Sequence, residues 1–372
     1  KLYLGFIDFL WRRLVDVQLS PKPATKLIAT RLLQQTTFWS KVKSRLGWSA
    51  LACDMKVDGI PSGDLLLLRR EVSPGVNIAY APFGPELLPD NDQRGLYLSV
   101  LSSELKELLD PSCMFIRWDL PWESPYSEDE DRFDDKGNWL GPPETRLREL
   151  RMNWGVTGSA VRKAPTDILP PDTIIIDLNR EESQILAEMK PKTRYNTRLS
   201  FRRGVHVRHG KASDLDIWMK LYEQTARRNA IVYHDRRFFE ALLVQRCHDA
   251  TVHLLIAEKQ SIPLAAMFLS ISADRATYLY GASSDEGRSL MAPYALQWTA
   301  IKESKQHGCH SYDLFGVAPG PNPEHPLYGL YRFKAGFGGE MIHRQGSWDY
   351  AYDSRSYEYY IAQESTAKGF HL

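Results

Sequence analysis

The chain of 372 residues is long enough for two domains, each with a hydrophobic core of its own. Its 43% hydrophobic and 25% charged residues are typical of a soluble globular protein and exclude a disordered chain. The net charge of +1 excludes a uniformly basic surface, so a polyanionic partner would have to bind a local patch.

The N-terminal residues and the cysteines indicate a cytoplasmic protein. The apolar run over residues 3–10 is interrupted by Asp8 and is too short for a membrane span or a signal peptide. Residues 1–20 have apolar and basic residues at helical spacing, which predicts a packed helix or, alternatively, a helix on the membrane surface. The four cysteines lie far apart without metal-binding spacing, which predicts reduced structural thiols.

Apolar periodicity predicts the elements of the first half of the chain. They are a helix over 32–48, strands over 50–56, 64–71 and 76–81, a helix over 92–109 and a strand over 114–118. Asp119 follows this last strand, where a carboxylate could cap the strand or pair with Arg117. The acidic residues 123–135 predict a surface loop, and prolines at 142, 143, 165, 170 and 171 predict a domain boundary near Ala164.

The second half repeats the same order of elements. They are a strand over 173–178, a helix capped by Asn179, helices over 213–229 and 235–248, strands over 252–258, 264–270 and 276–281, a helix over 293–305 and a strand over 311–314. This order predicts an α/β protein of two acetyltransferase-like (GNAT-like) domains that share a cleft. The predicted domains comprise residues 1–164 with 345–372, and residues 165–344.

Residues 190–211 form a basic segment with eight lysines and arginines, two histidines and no acidic residue. A solvated helix face usually includes acidic residues, so this composition favours a strip that faces RNA phosphates. The helical candidates for phosphate contacts are Arg194, Arg198, Arg202 and Arg203.

A glycine-rich stretch at residues 311–340 contains a lysine between aromatic residues. A short strand leads into a Pro/Gly loop over 316–323, and Phe333 and Lys334 then precede Gly336, Gly338 and Gly339. Glycines let a ligand approach the main chain closely, and a fixed lysine can stabilise an anion or a developing oxyanion. The alternative is an ordinary surface loop with a solvated lysine.

The motif YDLFGV followed by LYRFKAGFGG resembles the C-terminal signature of the Fem family of non-ribosomal peptidyltransferases. The segments FWSKVK, DTIIIDL, KPKTRYNTRLSFRRGVHV, YLYGASS and MAPYALQWTAI are also similar to family segments and occur in the family's order. The resemblance covers about residues 33–349. The second domain has no inserted helical arm, as in the shorter branch of the family.

The resemblance implies transfer of an amino acid from aminoacyl-tRNA to an amine of the stem peptide of a peptidoglycan precursor. The acceptor would be a UDP-MurNAc-peptide or lipid II, and the enzyme a monomer in the cytoplasm or at the inner face of the membrane. Aminoacyl-tRNA would be the co-substrate and no cofactor is implied. The ester is already activated, and the sequence has no ATP-binding GxxxxGK[ST] motif.

The same resemblance implies roles for the site residues. Lys334 would stabilise the oxyanion and Phe333 would stack on the terminal adenosine of the tRNA. Asp119 would orient the attacking amine and could accept its proton, although a ribose hydroxyl of the tRNA is an alternative base. Lys43, the last residue of FWSKVK, would bind the precursor.

The acceptor side departs from the family pattern at two positions. His234 stands where shorter family members have an arginine that binds pyrophosphate, and Phe238 stands where they have a tyrosine. This departure suggests that Arg236 has taken over the pyrophosphate contact. Tyr278 and Tyr280 match the paired tyrosines of the family.

Two other functions remain open from the sequence. An acyl-CoA-dependent N-acyltransferase of the same fold needs an RxxGxG/A loop for pyrophosphate, and SSDEGRSLMAPY at the corresponding place lacks that spacing. A non-catalytic RNA-binding module would use only the basic segment. The acceptor of a tRNA-dependent transfer could also be a lipid or a protein.

Overall fold

The computed structural model describes residues 15–156, 160–229 and 234–366. Its strands are β1 Val17–Lys22, β2 Ser49–Val57, β3 Ile60–Ser73, β4 Val76–Ala81, β5 Cys113–Glu123, β6 Arg162–Lys163, β7 Asp172–Asp177, β8 His206–His209, β9 Ala250–Lys259, β10 Ile262–Ser272, β11 Arg275–Ser283, β12 Ser311–Asp313 and β13 Glu340–Ala351. Its helices are α1 Thr37–Ser44, α2 Arg94–Leu105, α3 Thr145–Met152, α4 Glu182–Glu188, α5 Pro191–Arg202, α6 Leu215–Asn229, α7 Arg236–Val244, α8 Ala292–Gln306, α9 Tyr328–Lys334 and α10 Ser354–Thr366.

The chain divides into two compact units. Of the described residues, those within 1–28, 34–171 and 343–372 form the first unit, and those within 29–33 and 172–342 form the second. The domain boundary predicted near Ala164 differs from this division, since residues 165–171 belong to the first unit. The short segment 29–33 belongs to the second unit, and no local pattern predicted this.

The first unit contains a sheet with the strand order β1-β2-β3-β4-β5-β13, and β6 pairs with β13. Neighbouring strands are antiparallel except β4 and β5, which are parallel. Parallel neighbours need a long crossover connection, and α2 provides it between these two strands. The sheet is therefore an antiparallel meander with one parallel step next to β5.

The second unit repeats this arrangement with the order β8-β9-β10-β11-β12-β7. Its one parallel pair within this order is β11 with β12, and α8 provides the crossover between them. The order of elements predicted from the sequence is thus present in both units.

The two faces of β5 have different surroundings, which matters for the site. Trp118 and Leu120 point into the apolar core beneath α2, where they pack with Leu101. Arg117 and Asp119 alternate with them and lie on the other face. Burying a large apolar side chain contributes about 1.5–3 kcal/mol, so this core fixes the orientation of β5.

A buried charge cluster holds the C-terminal helix of the first unit. Arg117 donates to both carboxylate oxygens of Asp349, at 2.7 Å each, and to Glu364 of α10 at 2.7 and 2.8 Å. All three side chains are fully buried. Removing one partner of such a buried pair costs about 3–5 kcal/mol. The ion pairs of Arg117 therefore stabilise the position of α10. The pairing with Asp119 considered from the sequence is wrong.

The predicted helix boundaries were wrong at several places. Val17–Lys22 is a strand paired with β2, while residues 1–14 of the predicted N-terminal helix lie outside the described residues. The helix predicted over 32–48 begins only at Thr37, because the hydroxyl of Thr36 accepts a hydrogen bond from the Trp39 amide and caps α1.

The helix of the second unit that Asn179 was expected to cap begins instead after Glu181. Glu181 and Gln184 form a reciprocal capping box at its first turn. Asn179 lies before this turn and contacts the carboxylate of Asp177, with its side-chain amide 2.9 Å away.

Among the described residues, no helix is long and apolar enough to cross a bilayer.

Candidate active site

Lys334 is a buried lysine among the candidate residues of the second unit. It ends the short helix α9, and only 4% of its surface is exposed. Its ammonium group donates to the carbonyl oxygens of Phe315 and Gly316, at 3.1 and 2.8 Å. These carbonyls belong to the Pro/Gly loop after β12, where Phe315 has a left-handed backbone with φ of 57°. The loop therefore binds the lysine ammonium group through two main-chain carbonyls.

The surroundings of Lys334 weaken its hold on a proton. Burial lowers the pKa of Lys334 to about 7, and the negative charge of Asp313 opposes this shift only in part. The Nζ atom lies 4.9 Å from the centre of the Tyr278 ring, a cation–π distance. Near neutral pH the side chain therefore exists as both ammonium and amine.

Gly281 makes room for Tyr278 in β11. A Cβ atom at this glycine would fall 1.6 Å from the Tyr278 hydroxyl oxygen, so no other residue fits while the ring stays where it is. Burial raises the pKa of Tyr278 to about 12, which keeps its hydroxyl protonated. The glycine of the YLYGASS motif thus supports the ring beneath Lys334.

Phe333 packs against the aromatic rings next to α9. Its ring makes edge contacts with Tyr294 and Phe337, with centres 5.2 Å apart in each case. The ring is only partly buried. Its stacking on an adenosine stays a prediction.

Three predicted acceptor-side residues come together at the start of α7. The Tyr280 hydroxyl lies 3.1 Å from Nε2 of His234, and the His234 ring lies 4.3 Å from the ring of Phe238. Tyr280 also makes an edge contact with Phe238, with ring centres 5.6 Å apart. His234 and Phe238 therefore form one aromatic cluster with Tyr280.

The two tyrosines of YLYGASS contact different residues. On a regular strand residues two apart share a face. The pairing of β10 with β11 shifts register here, with Phe268 opposite Tyr280 and Leu269 opposite Tyr278. Tyr278 contacts Lys334, whereas Tyr280 contacts His234.

Arg236, the expected replacement for the pyrophosphate contact, forms an ion pair with Asp216 of α6. Both side chains are at least half exposed, at 51% and 80%. An exposed pair of this kind contributes little free energy, about 0–1 kcal/mol. A bound pyrophosphate would compete with Asp216 for this guanidinium, so its role stays a prediction.

The four arginines predicted to face tRNA have different surroundings. Arg194 donates to the carbonyls of Leu186 and Ala187 at the end of α4, and Arg203 donates to the Ser289 carbonyl. Arg198 and Arg202, four residues apart on α5, are exposed. Phosphate contacts are thus expected chiefly from this second pair.

Tyr195 lies beside the exposed arginines and was missed by the sequence analysis. It is 56% exposed, and the Arg202 guanidinium lies 5.8 Å from its ring centre. The spacing of residues 195, 198 and 202 on one helix face could have revealed it. An exposed aromatic ring among arginines suits stacking on a nucleotide base.

In the first unit Lys43 and Arg70 approach the same indole ring. The Lys43 Nζ atom and the Arg70 guanidinium lie 5.1 and 5.6 Å from the centre of the Trp48 ring. Burial lowers the pKa of Lys43 to about 8, and the positive charge of Arg70 lowers it further. Two neighbouring cations repel one another, and an anion bound between them would remove that repulsion.

Asp119 lies within the same unit and is linked to this site through aromatic rings. The Trp48 ring centre is 6.2 Å from that of Tyr80, and the Tyr80 hydroxyl donates to Asp119. The carboxylate also accepts from the Ser347 hydroxyl and from the Leu169 amide, the latter at 3.1 Å. It lies within β5 and not at the end of a strand as predicted.

The environment of Asp119 shifts its protonation toward neutral pH. Burial raises the pKa of Asp119 to about 6, the negative charge of Asp167 adds to this shift, and the three hydrogen bonds oppose it. Only 1% of the residue is exposed. The three donors occupy three of about four acceptor positions of the carboxylate, and its role as a base stays a prediction.

No local motif predicted Arg70, Trp48 and Tyr80, because strand pairing brings them to Lys43 and Asp119. The register of β3 with β4 places Leu68 opposite Tyr80, which no local motif encodes. Among the described residues, no group of three or more His, Cys, Asp or Glu side chains could hold a metal ion.

Comparison with known proteins identifies relatives over most of the chain. The model of the FemAB family matches residues 25–258 and 244–364. The lipid II:glycine glycyltransferase of Staphylococcus aureus strain USA300 is 21% identical over 395 residues, which cover 88% of this chain and 89% of that protein. The same enzyme from strain MRSA252 is also 21% identical with the same coverage.

The solved structure of FemX has the same fold. FemX superposes with a TM-score of 0.71 at 19% identity and covers 92% of this chain and 100% of its own. A tandem GNAT protein from the clavulanic acid pathway has a TM-score of 0.49 at 12% identity, over 90% of this chain and 98% of its own.

The predicted fold class, α/β with two acetyltransferase-like units, is confirmed. The family resemblance predicted from YDLFGV, LYRFKAGFGG and the preceding segments is confirmed as well, since the family model matches nearly the whole chain. The chain belongs to the FemAB family.

Proposed function

We propose that this protein transfers an aminoacyl group from aminoacyl-tRNA to an amine on the stem peptide of a peptidoglycan precursor. The family membership supports a transferase, and relatives over nearly the full length are named lipid II:glycine glycyltransferases. A lipid-linked and a nucleotide-linked precursor both carry a pyrophosphate, so either could be the acceptor.

Lys334 is the single residue that best supports this function. A tetrahedral intermediate at the ester carbon carries a negative charge, and one fixed donor to such an oxyanion is typically worth about 3 kcal/mol. The ammonium of Lys334 has three N–H donors, of which two are directed to Phe315 and Gly316. The third can bind the oxyanion, and burial strengthens that interaction.

The reaction requires a neutral amine. An amine of pKa about 10.4 costs roughly 4–5 kcal/mol to deprotonate at neutral pH. The nitrogen then attacks the ester carbonyl carbon and forms the new C–N bond. The ester C–O bond then breaks. The ribose oxygen of the tRNA takes up the proton that the attacking nitrogen loses and leaves as a hydroxyl group.

Asp119 suits orientation of the amine better than proton abstraction. With a pKa of about 6 it is ionised at neutral pH, and an ionised carboxylate attracts an ammonium group. As a base it would be weak, since its pKa lies far below that of the amine. We assign the final proton transfer to the tRNA hydroxyl and the positioning of the precursor amine to Asp119 and Tyr80.

Lys43 and Arg70 suit the pyrophosphate of the precursor. They approach one ring, Trp48, and their positive charges repel one another in the absence of an anion. The exposed Arg198 and Arg202 of α5 suit the phosphates of the tRNA, and the exposed Tyr195 ring suits one of its bases.

The test is single-turnover transfer from charged tRNA to lipid II with both substrates saturating. Lys334→Met should lower the rate by about 10²–10³ with nearly unchanged precursor affinity. Lys305→Met is a matched control, because Lys305 also donates to two carbonyls, those of Leu178 and Arg180, within the same unit. Wild-type rate and affinities in Lys334→Met would contradict the catalytic role, and a raised KM for tRNA alone would reduce it to binding.

A further inference from the structure

A small surface pocket lies in the first unit, on the face of the sheet opposite Asp119. Neighbouring residues of β13 define the two faces, since Trp348 lines the pocket while Ser347 donates to Asp119. The polar lining comes from Asn91, Arg94, Ser124, Arg148, Arg151 and Gln345. Within the described part of the chain, no carboxylate lines it.

Two buried polar groups of this lining have unused hydrogen-bonding atoms. Gln345 is 5% exposed and Arg94 is 8% exposed. In the part of the chain that the structure describes, Nε2 of Gln345 and Nε of Arg94 have no hydrogen-bond partner. Leaving a buried donor unsatisfied is unfavourable, so both point to a ligand that accepts hydrogen bonds.

The three arginines bring positive charge to the pocket. Arg94 donates to the Glu123 carbonyl at 3.3 Å and Arg148 to the Gln345 carbonyl at 3.1 Å. Burial lowers the pKa of Arg94, and the positive charge of Arg151 lowers it further. Arg151 also contacts Asp129, 3.4 Å away outside the pocket. The chemistry favours an oxyanion, for which arginine is well suited.

An apolar stripe runs along α3 next to this pocket. Leu147, Leu150 and Trp154 are 48%, 60% and 71% exposed. Their spacing of three and four residues places them on one side of α3 and the turn that follows it. Arg151, which lines the pocket, borders this stripe on the helix surface. Exposed leucine and tryptophan beside arginine is the composition of helices that lie in a membrane interface.

We propose that α3 and its arginine pocket form a docking site for an anionic phospholipid bilayer. Leu147, Leu150 and Trp154 contact the acyl chains, and the pocket takes the phosphate of one lipid headgroup. The charge complementarity of the pocket selects the phosphate, and the adjacent stripe selects a lipid over a free anion. This docking needs no transfer activity, and it accounts for access to a lipid-linked acceptor if the proposed function holds.

The acidic segment 123–135 limits simple electrostatic adsorption. It reaches the pocket through Tyr126 and contacts Arg151 through Asp129 outside the pocket, and its seven carboxylates repel an anionic surface. Binding therefore depends on insertion of the apolar stripe and on one specific headgroup contact. Such binding should weaken only modestly with added salt, unlike the binding of a polybasic patch.

The test is flotation of the full-length protein with vesicles of phosphatidylcholine, with and without phosphatidylglycerol. We expect stronger binding to the phosphatidylglycerol vesicles, because the choline cation of phosphatidylcholine is repelled by the arginines of the pocket. Replacing Leu150 and Trp154 by serine should weaken it about 10-fold or more, and Arg148→Gln about 5-fold. Ile262→Ser and Arg227→Gln are matched controls, because Ile262 is 58% exposed and Arg227 77% exposed in the second unit.

Several outcomes would overturn the proposal. Equal flotation of all variants, or none of the wild type, would do so. Binding of inorganic phosphate in the pocket by a protein that does not bind vesicles would mean that the ligand of the pocket is a soluble anion. A change from dimer to monomer in light scattering for the serine variant would mean that a second copy covers the stripe. Transfer to a soluble nucleotide-linked precursor should remain unchanged in these variants, which separates a failure of docking from a failure of the proposed function.

Discussion

The ammonium group of Lys334 lies 4.9 Å above the ring of Tyr278, in a site where burial lowers the pKa of the lysine to about 7. In the unfolded chain the lysine has its usual pKa near 10.5 and therefore keeps its proton at neutral pH. The protonation state of Lys334 therefore affects both the stability of the second unit and the proposed stabilisation of the oxyanion.

Stability should rise with pH because of Lys334. Between pH 7 and about 10.5 the unfolded state binds more protons than the folded state, so the free energy of unfolding increases by up to about 1.4 kcal/mol per pH unit. Denaturation of the wild type and Lys334→Met at pH 7 and 8.5 measures this. The variant should lack about 2 kcal/mol of the increase. Parallel pH dependences in the two proteins would mean that folding does not lower the pKa of Lys334.

Gly281→Ala should disturb the lysine site without touching it directly. The added Cβ would overlap the Tyr278 hydroxyl and push the ring from beneath Lys334. We expect the transfer rate to fall at least about 10-fold, since loss of a preorganised neighbour weakens the oxyanion contact. Gly329→Ala is the control within α9, because a Cβ there meets no atom within 4 Å. Equal rates for the two variants would show that Tyr278 does not support Lys334.

Local patterns predicted much of the fold and part of the site. The order of strands and helices followed from apolar periodicity, and the glycine motif identified Lys334 because its sequence neighbours are distinctive. The pattern did not predict that Lys334 is held by carbonyls of residues 315 and 316, since that contact depends on how the loop after β12 folds back.

Long-range pairing explains what the sequence left out. Asp119 lies inside β5 because the strand continues to Glu123 against β13, whose apolar alternation is broken by charged and small residues. Tyr80 reaches Asp119 from a strand 39 residues earlier. The separation of Tyr278 from Tyr280 comes from a register shift, which depends on the partner strand and not on YLYGASS itself.

Asp119→Asn should remove an acidic limb from the pH profile of transfer. The ionised carboxylate attracts the amine, so the wild-type rate should fall as pH drops through about 6, the pKa of Asp119. The variant should be slower by roughly 10-fold or more above pH 7 and lose this limb. Asp167→Asn should move the limb to lower pH, because Asp167 helps to raise that pKa. An unchanged limb in Asp119→Asn would assign it to another group.

Arg198 and Arg202 should account for much of the salt dependence of tRNA binding. Replacing both with alanine removes two expected phosphate contacts and should reduce the slope of log K against log salt by about 1.5–2. Arg194→Ala is the comparison, because this arginine contacts the carbonyls of Leu186 and Ala187 and should change stability more than the slope. Filter binding over a range of about 50 to 200 mM salt measures the slope for the double variant and for Arg194→Ala. A larger slope change in Arg194→Ala would contradict the assignment.

Lys43 and Arg70 should be coupled in binding the precursor. Lys43→Met and Arg70→Met should each raise the KM for the precursor and leave the saturated rate nearly unchanged, because a pyrophosphate contact made in both ground and transition states affects binding alone. Wild-type affinity should fall as pH rises above about 8, the pKa of Lys43. Arg70→Met removes a neighbouring positive charge, so it should move this decline to higher pH while weakening binding at pH 7. Isothermal titration with a nucleotide-linked precursor at pH 7 and 9 measures both effects. A decline that stays at the same pH in Arg70→Met would show that the two cations do not share the anion.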